Sequence, residues 1–350
     1  MDGSYYQVPN DRRYWVVRAE GGDFLPHFAD AGVVAIGHVD QAVSQAPAQV
    51  PKNTNWATIH ANLVKLRERE GQRPRGISSL ISQAKAFVND IKKGDWVICP
   101  GGSLLRIGVV TSEAYWDNKP IVLYDRDNRS SIMDFRLRRH VAWGPNIYRG
   151  EFSSPLQRSL FANQTVFNVD SHWEAICHTI YPAFSRNDAL YLSARISTDG
   201  QINNVDVASF LLSLSDIELT IRALNKGLTK SNFDDKLASY SDSGQLSLAT
   251  KAEFYSPGDI WVQLIGGAGD LFSGSKWMAA VVFAYGMLFG NNKLGFDGVL
   301  DLDTRHKIRD LILDRMKKRR VESAISRMDV VLPNKDTTPL ESKDPAHKSN

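Results

Sequence analysis

The sequence predicts an α+β protein of two domains: a small β-barrel with flanking helices over residues 1–170, and a second α+β domain, residues 188–333, with an apolar helix and a carboxy-terminal amphipathic helix. Three observations predict it. A length of 350 residues exceeds one typical domain and suits two, each able to bury its own core. Between residues 95 and 144, short runs of β-branched and aromatic residues alternate with turn signals, the pattern of a barrel. Beyond residue 188, strand-like and helix-like stretches follow one another without a repeated βαβ wind. A helical linker, 171–187, and a disordered tail, 334–350, complete the expected division. The tail is rich in Thr, Ser, Lys, Asp and Pro and has no apolar periodicity to offset its ordering entropy.

Composition sets limits on function. Apolar residues make up 43% and charged residues 23%, which excludes disorder throughout the chain. A net charge of +3 gives no general grip on nucleic acid, so any such surface must be local. Cys99 and Cys177 belong to no CxxC pair, which favours a reducing, cytoplasmic setting. The start, MDGSYYQVPNDRRYW, lacks the apolar core of a secretory signal, so the mature chain is expected to begin there.

In chain order, YWVVRA (14–19) clusters aromatic and β-branched residues and is broken by Gly21 and Gly22, giving a first strand. FLPHFADAG reads as a short helix stopped by Gly32, and VVAIG (33–37) as a second, buried strand. Residues 40–55 show no period and read as a loop. Trp56, Ile59, Leu63 and Leu66 then recur at helical spacing, and the basic stretch RERE-GQRPRG closes that helix. Residues 79–91 place Leu80, Ile81, Ala84, Phe87, Val88 and Ile91 on one helical face that ends at Gly94. There follow DWVI, a Gly101-Gly102 turn, LLRIGVVTSEAYW, IVLYD, an Arg-rich connection and RRHVAWG as successive strands.

Four segments in this order, YWVVRAEGGDFLPHFADAGVVAIGH, IKKGDWVICP, LLRIGVVTSEAYW and RRHVAWGPNIYRGEFSSPLQRSLFANQTVFNV, resemble the amino-terminal PUA/EVE-like domain of Mrr-type restriction-system proteins over about residues 12–170. More loosely they are similar to the wider PUA, EVE and YTH group. The resemblance implies a reader of a modified or flipped base fused to a separate effector, in a prokaryotic restriction or antiviral-defence system.

Reading an extruded base requires an apolar slot with a flat aromatic wall and a few polar groups on its edge. Trp15, Trp56, Trp96, Trp116 and Trp143 supply the indoles, and ordinary core packing would use the same residues. Arg18, Gly37, His38, Pro100, Arg106 and Gly108 fall at strand ends in the matching segments, where a barrel mouth would place a ligand. His38 either hydrogen-bonds a ligand edge or caps a strand. Arg126, Arg129, Arg136, Arg138, Arg139 and Arg149 form the densest run of arginine. They read as a phosphate-contacting rim or as a solvated face paired internally with Asp125, Asp127 and Asp134.

In the second half, a helix around 172–184 precedes a strand, an Asp199-Gly200 turn, a short strand and a helix capped at Asn203 or Asn204. Residues 246–255 and IWVQLIG read as further strands. WMAAVVFAYGMLF (277–289) is the most apolar run, and as a helix it spans about 20 Å against the roughly 30 Å of a bilayer core. A buried core helix is expected, and membrane contact is not. A final helix, about 303–328, puts Ile308, Leu311, Ile312 and Met316 on one face beside the basic block Lys317, Lys318, Arg319 and Arg320.

No catalytic constellation is legible. Nucleases of the resembled type hold a divalent metal with an Asp and a strand carrying Glu/Gln-x-Lys, and the nearest text, Gln83-Ala84-Lys85, lies on a predicted helix. GDLFSGSK (269–276) imitates a phosphate loop, but its lysine is displaced by one and Trp277 stands where the magnesium-binding hydroxyl belongs. Glu174, Cys177 and His178 share a helical face but offer a metal no fourth ligand. There is no Gly-x-Ser-x-Gly elbow and no His-Glu-x-x-His pair. The expectation is therefore a recognition protein without catalytic residues, cofactor or metal. Its partners would be DNA with a modified base or a free nucleotide, an effector protein at the second domain, and a second copy of itself in a homo-oligomer. Two alternatives stay open: a nucleotide-signal-gated effector acting through assembly or membrane contact of 277–289, and an unrecognised metal-dependent nuclease.

Overall fold

The computed structural model describes residues 5–43, 54–252, 257–265, 276–291, 294 and 300–343. The protein is mixed α+β and divides into two units, residues 11–176 with 336–350, and residues 1–10 with 177–335. Both ends thus cross the expected division. The first residues go with the second unit because strand β1 (Tyr6–Gln7) adds in parallel to a sheet edge at Phe184 and Ser185.

The unit 11–176 contains β2 (Tyr14–Val17), β3 (Val33–Ile36), β4 (Trp96–Gly101), β5 (Leu104–Val110), β6 (Tyr115–Trp116), β7 (Ile121–Tyr124), β8 (Ser130–Met133), β9 (Leu137–Tyr148) and β10 (Val166–Asn168). Strands β7 and β8 form a separate hairpin, so the expected Arg-rich connection is largely a β-hairpin. The others form one curled sheet in the order β10-β2-β4-β5-β9-β3, with β6 also on β9. The sheet is a half-barrel and does not close as expected. At the β10 edge a side chain takes the place of a strand: Gln83 Oε1 accepts from the N–H groups of Thr165 (2.6 Å) and Val166 (3.1 Å). Gln83 of the rejected Gln-Ala-Lys text is therefore an edge cap.

Strand β9 produces the curl. Leu137 pairs with Ile36 of β3 on one side and Trp116 of β6 on the other, while Tyr148 pairs with Leu104 of β5, past an irregularity between Arg106 and Gly108. One face of the sheet is filled by α1 (Leu25–Ala31), α2 (Trp56–Arg69) and α3 (Ile77–Lys85), whose Phe28, Ile59, Leu63, Ile81 and Ala84 join Val17, Val34, Ile36 and Val97 in one core. Gly32 ends α1 at φ 63°, a left-handed position that glycine occupies without steric cost. A π-helical turn, Ala86–Asp90, continues α3. Helix α4 (Ser154–Ser159) follows β9, and α5 (Trp173–Ile180) carries the chain from one unit into the other.

In the second unit, β11 (Ala183–Arg186) and β12 (Ala189–Ile196) form a hairpin. The helical linker expected over 171–187 is thus corrected: its helix stops at Ile180. Asn187 and Asp188 both have positive φ (49° and 58°), the two left-handed residues that a tight type I′ turn requires. No strand follows the Asp199-Gly200 turn. Instead α6 (Asn204–Ala223) starts there, its N-cap Asn203 accepting from the N–H of Val205. After α7 (Phe233–Asp242) come β13 (Ala249–Ala252), β14 (Gly258–Ile265), α8 (Lys276–Leu288), α9 (Leu302–Arg319), α10 (Val321–Met328) and β15 (Val330–Val331). The sheet order is β1-β11-β12-β14-β13, with β15 on β12.

Leu190, Leu192, Ile260 and Val262 of this sheet pack with Phe210, Leu214, Val281, Val282, Ile308 and Ile312 of α6, α8 and α9. Helix α8 is buried from Trp277 to Gly286, and the Tyr285 hydroxyl donates to the Ser193 carbonyl at 3.0 Å. The single final helix expected over 303–328 is broken by Arg320 at φ 53°. Of the GDLFSGSK segment, 269–275 lies outside the described residues. Among the described residues no helix is long and apolar enough to cross a membrane.

The tail expected to be disordered carries a helix, α11 (Thr338–Lys343), which belongs to the first unit. It packs on β9: Leu340 is 1% exposed and occupies the space a side chain at Gly144 would need, 2.6 Å from the position of its Cβ. One buried leucine in six residues leaves no periodicity to read. Leu340→Ala is expected to lower the stability of this unit by about 2 kcal/mol, at the low end for a buried leucine because a short terminal helix can open locally. An unchanged urea midpoint would remove the helix from the folded unit.

Candidate functional site

The register of β9 sets the expected pocket residues against its two ends. Gly37 and His38 follow β3, whose last residue pairs with Leu137 at the start of β9. Arg18, Pro100 and Arg106 belong to the ends of β2, β4 and β5 that pair toward Tyr148, at the finish of β9. Between the two groups Phe135, Phe24 and Leu25 form a chain of side-chain contacts and sequence neighbours that runs from Gly37 to Gly101. Gly108 lies between the two groups in register, opposite Trp143, where a Cβ would approach Val141 Cγ1 to 2.3 Å; its role is close strand packing.

The tryptophans divide similarly. Trp15 is buried, its Nε1 donating to the Asp95 carboxylate at 3.1 Å, and Trp96 is fully buried, edge-on to Tyr14. Both are core residues and form no slot wall. Trp143 is half-buried, with Nε1 committed to the Phe28 carbonyl at 2.7 Å. Arg18 donates to the carbonyls of Leu160 and Ala162, which ties a loop down, and Arg149 stacks over Phe161 at 4.2 Å. Pro100 is buried in β4 and Arg106 half-buried in β5.

Around the end of β3 the remaining candidates converge. Gly37 lies against the Phe135 ring, which a Cβ would meet at 2.3 Å. Phe135 in turn packs edge-on with Phe24. His38 ties the end of β3 to α3: Nε2–H donates to the Leu80 carbonyl at 3.0 Å, and burial lowers its pKa. The chain then turns tightly through Asp40–Ala42. Asp40 Oδ2 accepts from the backbone N–H of Arg136 at 2.8 Å, and the Arg136 guanidinium donates to the carbonyls of Asp40 and Val43 and to Asn118. The same guanidinium lies 6.0 Å from the ring of Trp116, which is buried. Helix α2, with half-buried Trp56 in its first turn, is held to this turn by Asn62, which donates to the Ala42 carbonyl.

Asp40 is the chemically unusual group. Its Oδ1 is shut away from solvent and accepts no hydrogen bond. Burial pushes its pKa up to about 7, aided by the charge of Asp134 and opposed by the Arg136 N–H and guanidinium and by the Leu137 N–H. Buried polar atoms are nearly always satisfied, so a carboxyl oxygen enclosed in this way is a candidate for function. Sequence reading left Asp40 in a loop, and the only signal was its place three residues after the Ala-Ile-Gly strand end.

An acid with a folded pKa near 7 and an ordinary value of 3.8 binds protons more readily when folded. Its contribution to stability is therefore whole below pH 3.8 and is lost as pH rises toward 7. Asp40→Asn removes this titration. The variant is expected to lose less stability than the parent between pH 5 and pH 8 in denaturant midpoints; parallel profiles would show an ordinary carboxylate.

The phosphate rim is largely corrected. Arg139 is fully buried and donates to the carbonyls of Phe87, Val88 and Ser112; Arg138 is buried against Asp117 and the carbonyls of Phe135 and Lys119. Arg126 and Arg129 alone of the six remain exposed, at the turn of the β7–β8 hairpin beside Tyr124, which is 68% exposed. Among the described residues no group of three His, Cys, Asp or Glu side chains is gathered for a metal. His178 is committed elsewhere, hydrogen-bonded to Ser193 Oγ through Nδ1 and stacked on Trp261.

Residues 48–170 match a family described as a domain of unknown function (DUF8426), about a third of the chain. The match includes Trp56, Trp116, Phe135 and Arg136 and excludes 37–40. No curated protein and no solved structure matches the chain.

Proposed function

We propose that the unit 11–176 is a PUA/EVE-like reader that binds a nucleobase at the end of β3, in a restriction or defence-type system, with the second unit coupling to an effector protein. The observation that carries this reading is Asp40. A carboxyl of pKa about 7 offers both an acceptor and a donor at neutral pH, which is what the N4 amino group and N3 of a cytosine edge require, and the turn Asp40–Ala42 must open to uncover Oδ1 to the base. Half-buried Trp56 and Phe135 supply aromatic surface at the same end of β3, and Arg126, Arg129 and Tyr124 offer a backbone contact on the exposed hairpin. The alternative through assembly of 277–289 finds less support, because α8 is committed to the core of its unit.

The test is tryptophan fluorescence of the full chain titrated with duplexes carrying unmodified, 5-methyl or 5-hydroxymethyl cytosine, and with CMP. Tighter binding to one modified duplex is expected, weakened at least tenfold by Asp40→Leu. Asp40→Asn, an acceptor and donor at every pH, should bind without the weakening above pH 7 expected of the parent. The pair Arg126→Ala/Arg129→Ala should weaken all duplexes alike and reduce the salt slope by about 2. Binding of CMP alone would make the unit a receptor for a free nucleotide, and no binding would overturn the site.

A further inference from the structure

Helices α8, α9 and α10 of the second unit enclose a cleft of about 790 Å³. Its floor is apolar: Phe283 and Met287 of α8, Leu313 and Met316 of α9, and Ile325 of α10. Leu302, 62% exposed, stands at the start of α9 and continues the same stripe, since 302, 309, 313 and 316 recur on one helical face. Along that face the lining also includes Arg305, His306 and Arg309, against one acid, Glu322, from α10. Arg309 and His306, both exposed on α9, are the cationic side chains nearest to open solvent along this lining.

We infer that this cleft binds a free small amphiphile with an apolar chain and a single phosphate or carboxylate head. The volume lies within the roughly 300 to 1,000 Å³ of small-molecule pockets. Charge decides the head: the cationic residues gather on the face of α9, and the apolar floor suits the chain. The inference is independent of the nucleobase site, which belongs to the other unit.

The test is isothermal titration of the full chain with octyl, decyl and dodecyl phosphate below their micelle concentrations, and with dodecanol. One site per chain is expected, tightening about tenfold for each two methylenes added and binding dodecanol at least tenfold more weakly than dodecyl phosphate. Arg309→Glu, at an exposed position, should abolish the preference for phosphate and leave the thermal midpoint unchanged. Leu302→Glu should weaken every member of the series. Affinity independent of chain length or of Arg309, or no saturable binding, would overturn the inference. So would sedimentation with phosphatidic acid vesicles that Arg309→Glu abolishes, which would assign the face to a membrane surface. A dimer dissolved by the same variant would assign it to a second copy.

Discussion

Arg139→Met is expected to cost the unit 11–176 about 3–5 kcal/mol, most of what a domain of this size has to lose. The side chain is fully buried, and its fork donates to Phe87 O (2.7 Å), Val88 O (2.8 Å) and Ser112 O (2.9 Å). Two of those carbonyls belong to the π-helical turn that ends α3, where helical geometry leaves acceptors without partners and the helix dipole is negative. The nearest carboxylate, Glu113, is 3.9 Å away and 69% exposed, so it adds little. Burial lowers the guanidinium pKa to about 10, which still leaves it charged at neutral pH. Methionine fills the volume and leaves three buried carbonyls unsatisfied, at roughly 1–3 kcal/mol each before relaxation. Lysine keeps the charge but cannot fork, and should recover only part of the loss. Six of the eight tryptophans lie in this unit, so urea denaturation followed by fluorescence reports it directly. A loss below about 1 kcal/mol, the size expected for exposed Arg126→Ala, would mean that water replaces the guanidinium.

The same residue shows why much of the site was illegible. Arg138 and Arg139 are neighbours on a strand and point to opposite faces, yet both are buried, each satisfied by carbonyls from segments distant in sequence. Residue type alone assigns such a pair to the surface. What could be read was local: the stop of α1 at Gly32, the period of α2, the cap of α6 at Asn203 and the strands around Gly101-Gly102 each carry their own signal. The pocket did not, because which strand ends meet depends on how β9 curls between β3 and β5, and no local signal carries that. The hairpin β11–β12 was missed because its Asn187-Asp188 turn carries no glycine, although both residue types tolerate positive φ. Asp40 is ordinary as a residue and unusual only for what buries it.

In the second unit the largest effect is expected from Asp216→Ala, a loss of about 3–5 kcal/mol. Asp216 is 1% exposed on α6, and its two oxygens accept from Arg315 (3.0 and 3.4 Å) and Arg319 (3.1 and 3.3 Å) on α9. Arg315 is itself buried, stacked 4.3 Å over Phe233, and reaches a second carboxylate, Asp234, on α7. Removing Asp216 leaves Arg315 inside with only the largely exposed Asp234 to balance it, whereas Arg319, whose side chain is 24% exposed, can turn to water. The cost therefore belongs mainly to the unpaired charge and not to the bond. Replacing both partners, Asp216→Leu with Arg315→Met, should recover most of the single-variant loss, because an apolar pair of similar volume avoids desolvating two ions. A double variant as unstable as Asp216→Ala would instead show that the ion pair fixes the packing of α6 against α9. Denaturant unfolding of the four chains of this cycle and of Asp216→Ala, read through Trp261 and Trp277 in this unit, separates the two outcomes.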